Sequence, residues 1–162
     1  MSKPYVVGID IGGTNTVFGI VDARGTVLAS SSIKTCKHAK IEDYISELHE
    51  ELTKLIEAND AVDKIAGIGI GAPNANYFTG IIADGVNLPW PTPIPLADLV
   101  YEKFNIPVAI TNDANAAAIG EMTYGAARGM KDFIMITLGT GVGSGIVVNG
   151  QLVYGHDGFA GE

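Results

Sequence analysis

Asp113 stands where a short apolar strand, Ile106-Pro107-Val108-Ala109-Ile110-Thr111, gives way to an alanine-rich helical run, Ala116-Ala117-Ala118-Ile119-Gly120-Glu121-Met122. A carboxylate at or just before a helix start is held in its ionised form by the positive end of the helix dipole. In that state it can orient a hydroxyl and accept its proton, the part a general base plays when a phosphoryl group passes to an alcohol. Asn112 beside it offers a donor and an acceptor to neighbouring hydroxyls. The bland alternative is that Asp113 is simply an N-cap, contributing about 1 kcal/mol. Local sequence leaves both open; what favours chemistry is the company Asp113 keeps.

That company is two glycine-rich tips. In Val6–Ile20 a β-branched run ends in Asp10, turns at Gly12-Gly13 and returns as a second β-branched run. Glycines there permit positive φ and leave backbone N–H groups uncovered, which with the Thr14 and Asn15 side chains form a concavity suited to phosphate. Asp10 would repel a phosphate directly, so an acid at this point implies an intervening Mg²⁺ held through its waters. An ordinary Gly-Gly hairpin with a turn aspartate has the same local sequence. The second tip is Gly139-Thr140-Gly141-Val142-Gly143-Ser144-Gly145, between the apolar runs Phe133–Leu138 and Ile146–Val148. It is not a P-loop, because no Gly-Lys-Ser/Thr follows, nor a dinucleotide fingerprint, because a strand follows where that motif needs a helix. Its N–H groups and Thr140 would line a different phosphate cradle.

The elements that must position these residues are legible from periodicity. A third strand over Thr26–Ile33 completes an antiparallel opening. Ile41, Tyr44, Ile45, Leu48, Leu52, Leu55 and Ile56 recur at helical spacing among acidic residues, predicting an amphipathic helix with a solvated face. Ile65–Gly71 reads as a buried strand leaving sharply through Ala72-Pro73-Asn74, and Pro95 suits the first turn of a helix carrying Leu96, Leu99, Val100 and Phe104. Residues 74–94 lack periodicity, and a loop of that length is functional or mobile; within it Trp90 is expected to be a hydrophobic plug. Asn149-Gly150 signals a type I′ turn into Gln151–Tyr154. Strand, glycine turn, strand, turn, strand therefore occurs twice, at 5–33 and 133–154, which predicts two lobes offering one tip each to a shared cleft.

Composition sets the outer bounds. With 162 residues, 47% hydrophobic and 17% charged, the chain can bury a core, as one large domain or a small one plus part of another. Net charge −8, with no basic cluster beyond Lys34–Lys40, argues against a nucleic-acid partner. Cys36 is the single cysteine, excluding an internal disulfide or cysteine zinc site and fitting a reducing, cytoplasmic setting. A first strand beginning by Tyr5 leaves no room for a signal peptide, and no apolar run reaches membrane-spanning length.

Asp10-Ile11-Gly12-Gly13-Thr14-Asn15, Asn112-Asp113-Ala114-Asn115, Leu138-Gly139-Thr140-Gly141-Val142-Gly143 and Gly158-Phe159-Ala160-Gly161-Glu162 resemble, in order, successive motifs of the ROK sugar kinases. The resemblance implies an α/β, actin-like ATPase (ribonuclease-H-like) fold, with residues 1–112 as a small N-terminal lobe and 113–162 as the beginning of a larger C-terminal lobe. It implies that Asp10, Gly12, Gly13, Thr14, Asn15, Gly139, Thr140 and Gly141 face the phosphates of ATP and its Mg²⁺, with Asp10 on the metal side. The residue matching Asp113 is the base for the sugar 6-hydroxyl, and Asn112 and Glu162 match residues that bind sugar hydroxyls. Gly71, in Gly71-Ala72-Pro73, resembles a segment lining the sugar pocket. Family members continue past Glu162 into a Gly-His pair, a cysteine-rich zinc motif and an adenosine-binding region, so the chain is expected to be about the first half of a kinase. Zinc is not assignable to it, and His156 reads as a loop histidine. The expected activity is phosphorylation of a hexose, glucose first, by a glucokinase-type enzyme, as a dimer. The alternatives are an inactive or merely sugar-binding fragment and a sugar-responsive transcriptional repressor.

Overall fold

In the computed structural model, residues 3–85, 87–139 and 141–161 are described. The opening strands β1 (Tyr5–Ile11), β2 (Asn15–Asp22) and β3 (Val27–Lys34) form an antiparallel meander. Helix α1 (Ile41–Ala58) then crosses over, so that β4 (Ile65–Gly71) lies parallel to β1. Helix α2 (Leu96–Phe104) makes the next crossover, placing β5 (Val108–Thr111) parallel to β4. The sheet order is β3-β2-β1-β4-β5. Alternation decides its faces: Val7, Ile9 and Ile11 of β1 point into a core closed by Tyr44, Leu48 and Leu52 of α1 and by Leu96 and Val100 of α2.

Helix α3 (Asp113–Tyr124) follows β5 directly and packs against β4 and against a second, three-stranded antiparallel sheet. That sheet comprises β6 (Phe133–Leu138), β7 (Val142–Val148) and β8 (Gln151–Leu152), so the expected strand-turn-strand echo is present. Asn149 and Gly150 both adopt positive φ, as the type I′ turn requires. Small residues let α3 approach: an added Cβ on Gly145 would lie 2.4 Å from Ala118 Cβ. The opposite face of this sheet is open, and Ile134, Ile136, Leu138 and Val142 are all exposed there.

The segment 74–94 is anchored. Bridges join Ala75 to Ile82 and Ile82 to Ile94, and all three are buried. Trp90 is the plug expected of it: it is buried, its ring lies 4.5 Å from that of Tyr44, and its Nε1 donates to the His38 carbonyl at 3.1 Å. Among the described residues no helix is long and apolar enough to cross a membrane.

Candidate active site

The tip between β1 and β2 is closed by Gly12 N–H donating to the Asn15 carbonyl at 3.0 Å. One expectation fails here: neither Gly12 nor Gly13 occupies the left-handed region. What demands glycine is space. A Cβ on Gly13 would stand 3.0 Å from the Asn87 carbonyl oxygen, and one on Gly12 would stand 3.1 Å from that of Asn15. Asn87 belongs to the 74–94 segment, which sequence reasoning singled out as a whole without selecting this residue.

At the start of α3 the two candidate residues divide their work. Asn112 is the N-cap; its Oδ1 accepts from Ala114 N–H at 2.7 Å and Asn115 N–H at 3.1 Å. The cap reading thus belongs to Asn112 rather than to Asp113. Asp113 is the first helical residue; it is exposed, and its Oδ1 accepts from Ala114 N–H at 2.7 Å.

A cleft of about 710 Å³ brings these parts together. Gly12, Gly13 and Thr14 line it from the first tip, Asn112 and Asp113 from α3, and Gly139 and Gly141 from the second tip. Pro73, Asn74, Asn87, Thr137, Leu138, Val142 and Gly143 complete the wall; Pro73 belongs to the Gly71-Ala72-Pro73 segment, while Asn74, Asn87 and Thr137 were not singled out as site residues from sequence. Asn15 borders the first tip, where its Oδ1 accepts from Lys34 Nζ at 2.8 Å. Thr140 and Glu162 lie outside the described residues.

Asp10 and Gly71 lie beside this cleft rather than on its wall. Both line an adjoining, largely apolar cavity of about 690 Å³ on the face of the five-stranded sheet away from α1. Gly71 has a packing reason to be small, since its Cβ would stand 3.3 Å from Ala116 Cβ on α3. Asp10 still feels the cleft: burial raises its pKa, and the charge of Asp113 raises it further. A divalent cation would relieve that crowding of negative charge. Among the described residues no cluster of three His, Cys, Asp or Glu side chains could hold a metal. The donors near the cleft are the Asp10 and Asp113 carboxylates, and one or two carboxylates are what Mg²⁺ takes from a protein when water and phosphate oxygens complete its shell.

A testable consequence follows from linkage. A carboxylate with a raised native pKa binds more protons folded than unfolded, so its ionisation destabilises the fold as pH rises through that range. Asp10→Asn is expected to raise the Tm of the ligand-free chain at pH 7, with the gain shrinking toward pH 3; a thermal melt series across pH checks this.

The sheet order, the crossovers and a cleft carrying two glycine tips and a helix-start carboxylate define an actin-like ATPase domain of the ribonuclease-H-like type. The ROK family model matches residues 6–162, and the chain belongs to that family. A glucokinase from Halalkalibacterium halodurans is 38% identical over all of this chain and 49% of its own length. The crystal structure of a ROK family glucokinase from Streptomyces griseus, in complex with glucose and AMPPNP, superposes with a TM-score of 0.85 at 34% identity, over 98% of this chain and 49% of that one. A xylose repressor from Caldicellulosiruptor bescii is 33% identical over 97% of this chain and 40% of its own length. The chain thus spans about half the length of the curated relatives it matches.

Proposed function

We propose that this chain serves ATP-dependent phosphorylation of a hexose 6-hydroxyl, with glucose as first substrate, as part of a cytoplasmic, dimeric glucokinase-type enzyme. Residues 1–112 form its small lobe and 113–162 the start of its large lobe. The observation that carries the reading is the exposed Asp113 carboxylate at the start of α3, sharing one cleft with both glycine tips. Asp113 accepts the proton of the sugar hydroxyl as that oxygen attacks the γ-phosphorus in line with the departing ADP oxygen. The backbone N–H groups around Gly12, Gly13, Gly139 and Gly141 are fixed dipoles that hold the phosphates without reorganising during transfer. Thr14 and Thr140 add hydroxyl contacts on the phosphate side, while Asn112 and Glu162 fix sugar hydroxyls. Mg²⁺ bound with the nucleotide supplies neutralisation of phosphate charge, and Asp10 would hold it through water.

A second reading is supported by the xylose repressor relatives, in which the same domain would sense a sugar without phosphorylating it. The deciding experiment is ADP release from MgATP over a panel of glucose, mannose, N-acetylglucosamine and fructose. It uses the longest natural polypeptide containing this chain. Glucose-dependent ADP release is expected. Sugar binding by calorimetry with no ADP release from any member of the panel would overturn the kinase reading in favour of the sensor.

A further inference from the structure

Beneath the first glycine tip lies a dry group of three hydroxyls from three different elements. Thr16 of β2, Thr35 of the 3-10 turn Thr35–Lys37 and Tyr44 of α1 are each 0% exposed. Thr16 Oγ1 stands 2.8 Å from the Tyr44 hydroxyl and 3.0 Å from Thr35 Oγ1. Burial pushes the Tyr44 hydroxyl up to about 12, so it stays protonated and available as a donor throughout the working range.

The turn that supplies Thr35 also holds the tip itself. Thr35 N–H donates to the Thr14 carbonyl at 3.0 Å, Cys36 Sγ to the Gly13 carbonyl at 2.7 Å, and Lys34 Nζ to Asn15 Oδ1 at 2.8 Å. Every residue from Gly13 to Thr16 is therefore tied to the 34–36 segment, and Thr16 to α1 as well. Apolar side chains would fill the same volume without the cost of burying hydroxyls, but they carry no direction. A closed set of hydrogen bonds fixes the tip in orientation as well as in depth.

The triad also reaches the 74–94 segment. Tyr44 packs its ring on Trp90, and Asn87 of that segment meets the tip at Gly13. Tyr44 thus contacts both Thr16 of β2 and the segment that carries Asn87.

We propose that the Thr16–Thr35–Tyr44 triad is a positioning device for the phosphate-facing tip, with Tyr44 fixing the tip relative to α1. This rests on the kinase reading of the cleft. A misplaced tip weakens nucleotide contacts while leaving the sugar contacts of α3 intact, so the signature is a split between substrates. Tyr44→Phe is expected to raise the KM for MgATP about tenfold, the size of one lost hydrogen bond, with the sugar KM and kcat within about twofold of wild type. Thr16→Val removes both of its hydroxyl contacts and shifts the nucleotide KM at least as far. Thr16→Ser keeps the hydroxyl and restores it.

If the variants lower Tm but leave the nucleotide KM unchanged, or move both KM values alike, the triad is only structural and the proposal is overturned. If the wild-type protein transfers no phosphoryl group, the kinase reading fails on its own. In that case AMPPNP titration, followed on the backbone amide signals of Gly12 and Gly13, tests the triad directly. Weaker binding in Tyr44→Phe than in wild type supports the proposal; equal binding, or none in wild type, overturns it.

Discussion

Asp113→Asn is expected to lower kcat by about 10²–10⁴-fold, the range assigned to a positioned general base. The fold should survive it. Asn112, not Asp113, caps α3, and an asparagine at 113 keeps an oxygen within reach of Ala114 N–H. The lost favourable charge at the helix start costs at most about 1 kcal/mol, and removing a neighbour that crowds Asp10 offsets part of that. The measurement is kcat alongside Tm on the same preparation. Unchanged turnover would remove Asp113 from the role of base, while a collapsed Tm would recast it as structural.

The second large effect is expected on the fold. β-propensity alone would favour a β-branched residue over glycine in a strand, yet Gly145→Val should destabilise the protein by about 3 kcal/mol through overpacking. A side chain at 145 has no room, because its Cβ would sit 2.4 Å from Ala118 Cβ and 2.8 Å from the Ala114 carbonyl oxygen. The helix would have to lift from β7, taking Asp113 with it. Gly8→Ala is the matched control: it also lies within a strand but meets nothing within 4 Å, and it should leave the urea midpoint essentially unchanged. Equal midpoints for the two variants would show that α3 does not depend on close approach to β7.

Most of the architecture was readable because it follows periodicity. The α1 stripe from Ile41 to Ile56, the alternation of β1 and β2 and the Asn149-Gly150 turn each express a local preference that packing reinforces. Boundaries were less readable. The helix start expected at or just after Asp113 does fall at Asp113, but the cap is Asn112, which the alanine run at 116–122 does not advertise. The strand expected from Ile106 begins at Val108, after Pro107, which has no N–H to give a ladder.

Within the site, the residues picked out by type that line one cleft are Gly12, Gly13, Thr14, Asn112, Asp113, Gly139 and Gly141. Residue type could not show that Asp10 and Gly71 line its neighbour, since that depends on which side of a strand faces α3. The reason for Gly12-Gly13 was equally hidden. Positive φ is a local property that a sequence can signal, whereas the carbonyl of Asn87 pressing on Gly13 comes from more than seventy residues away. Thr16, Thr35 and Tyr44 each read as unremarkable alone, and only the packing of three elements makes them a network.

The open face of the second sheet has a colloidal consequence. Ile134, Ile136, Leu138 and Val142 present adjacent apolar side chains to water on a molecule carrying net charge −8. At low ionic strength, mutual repulsion keeps copies farther apart than the short reach of apolar contact. Near 1 M salt the screening length falls to about 3 Å and that protection is gone, while apolar attraction remains. For the 162-residue chain by itself, the expected result is dispersion in dilute buffer and self-association in concentrated salt, read by light scattering against ionic strength.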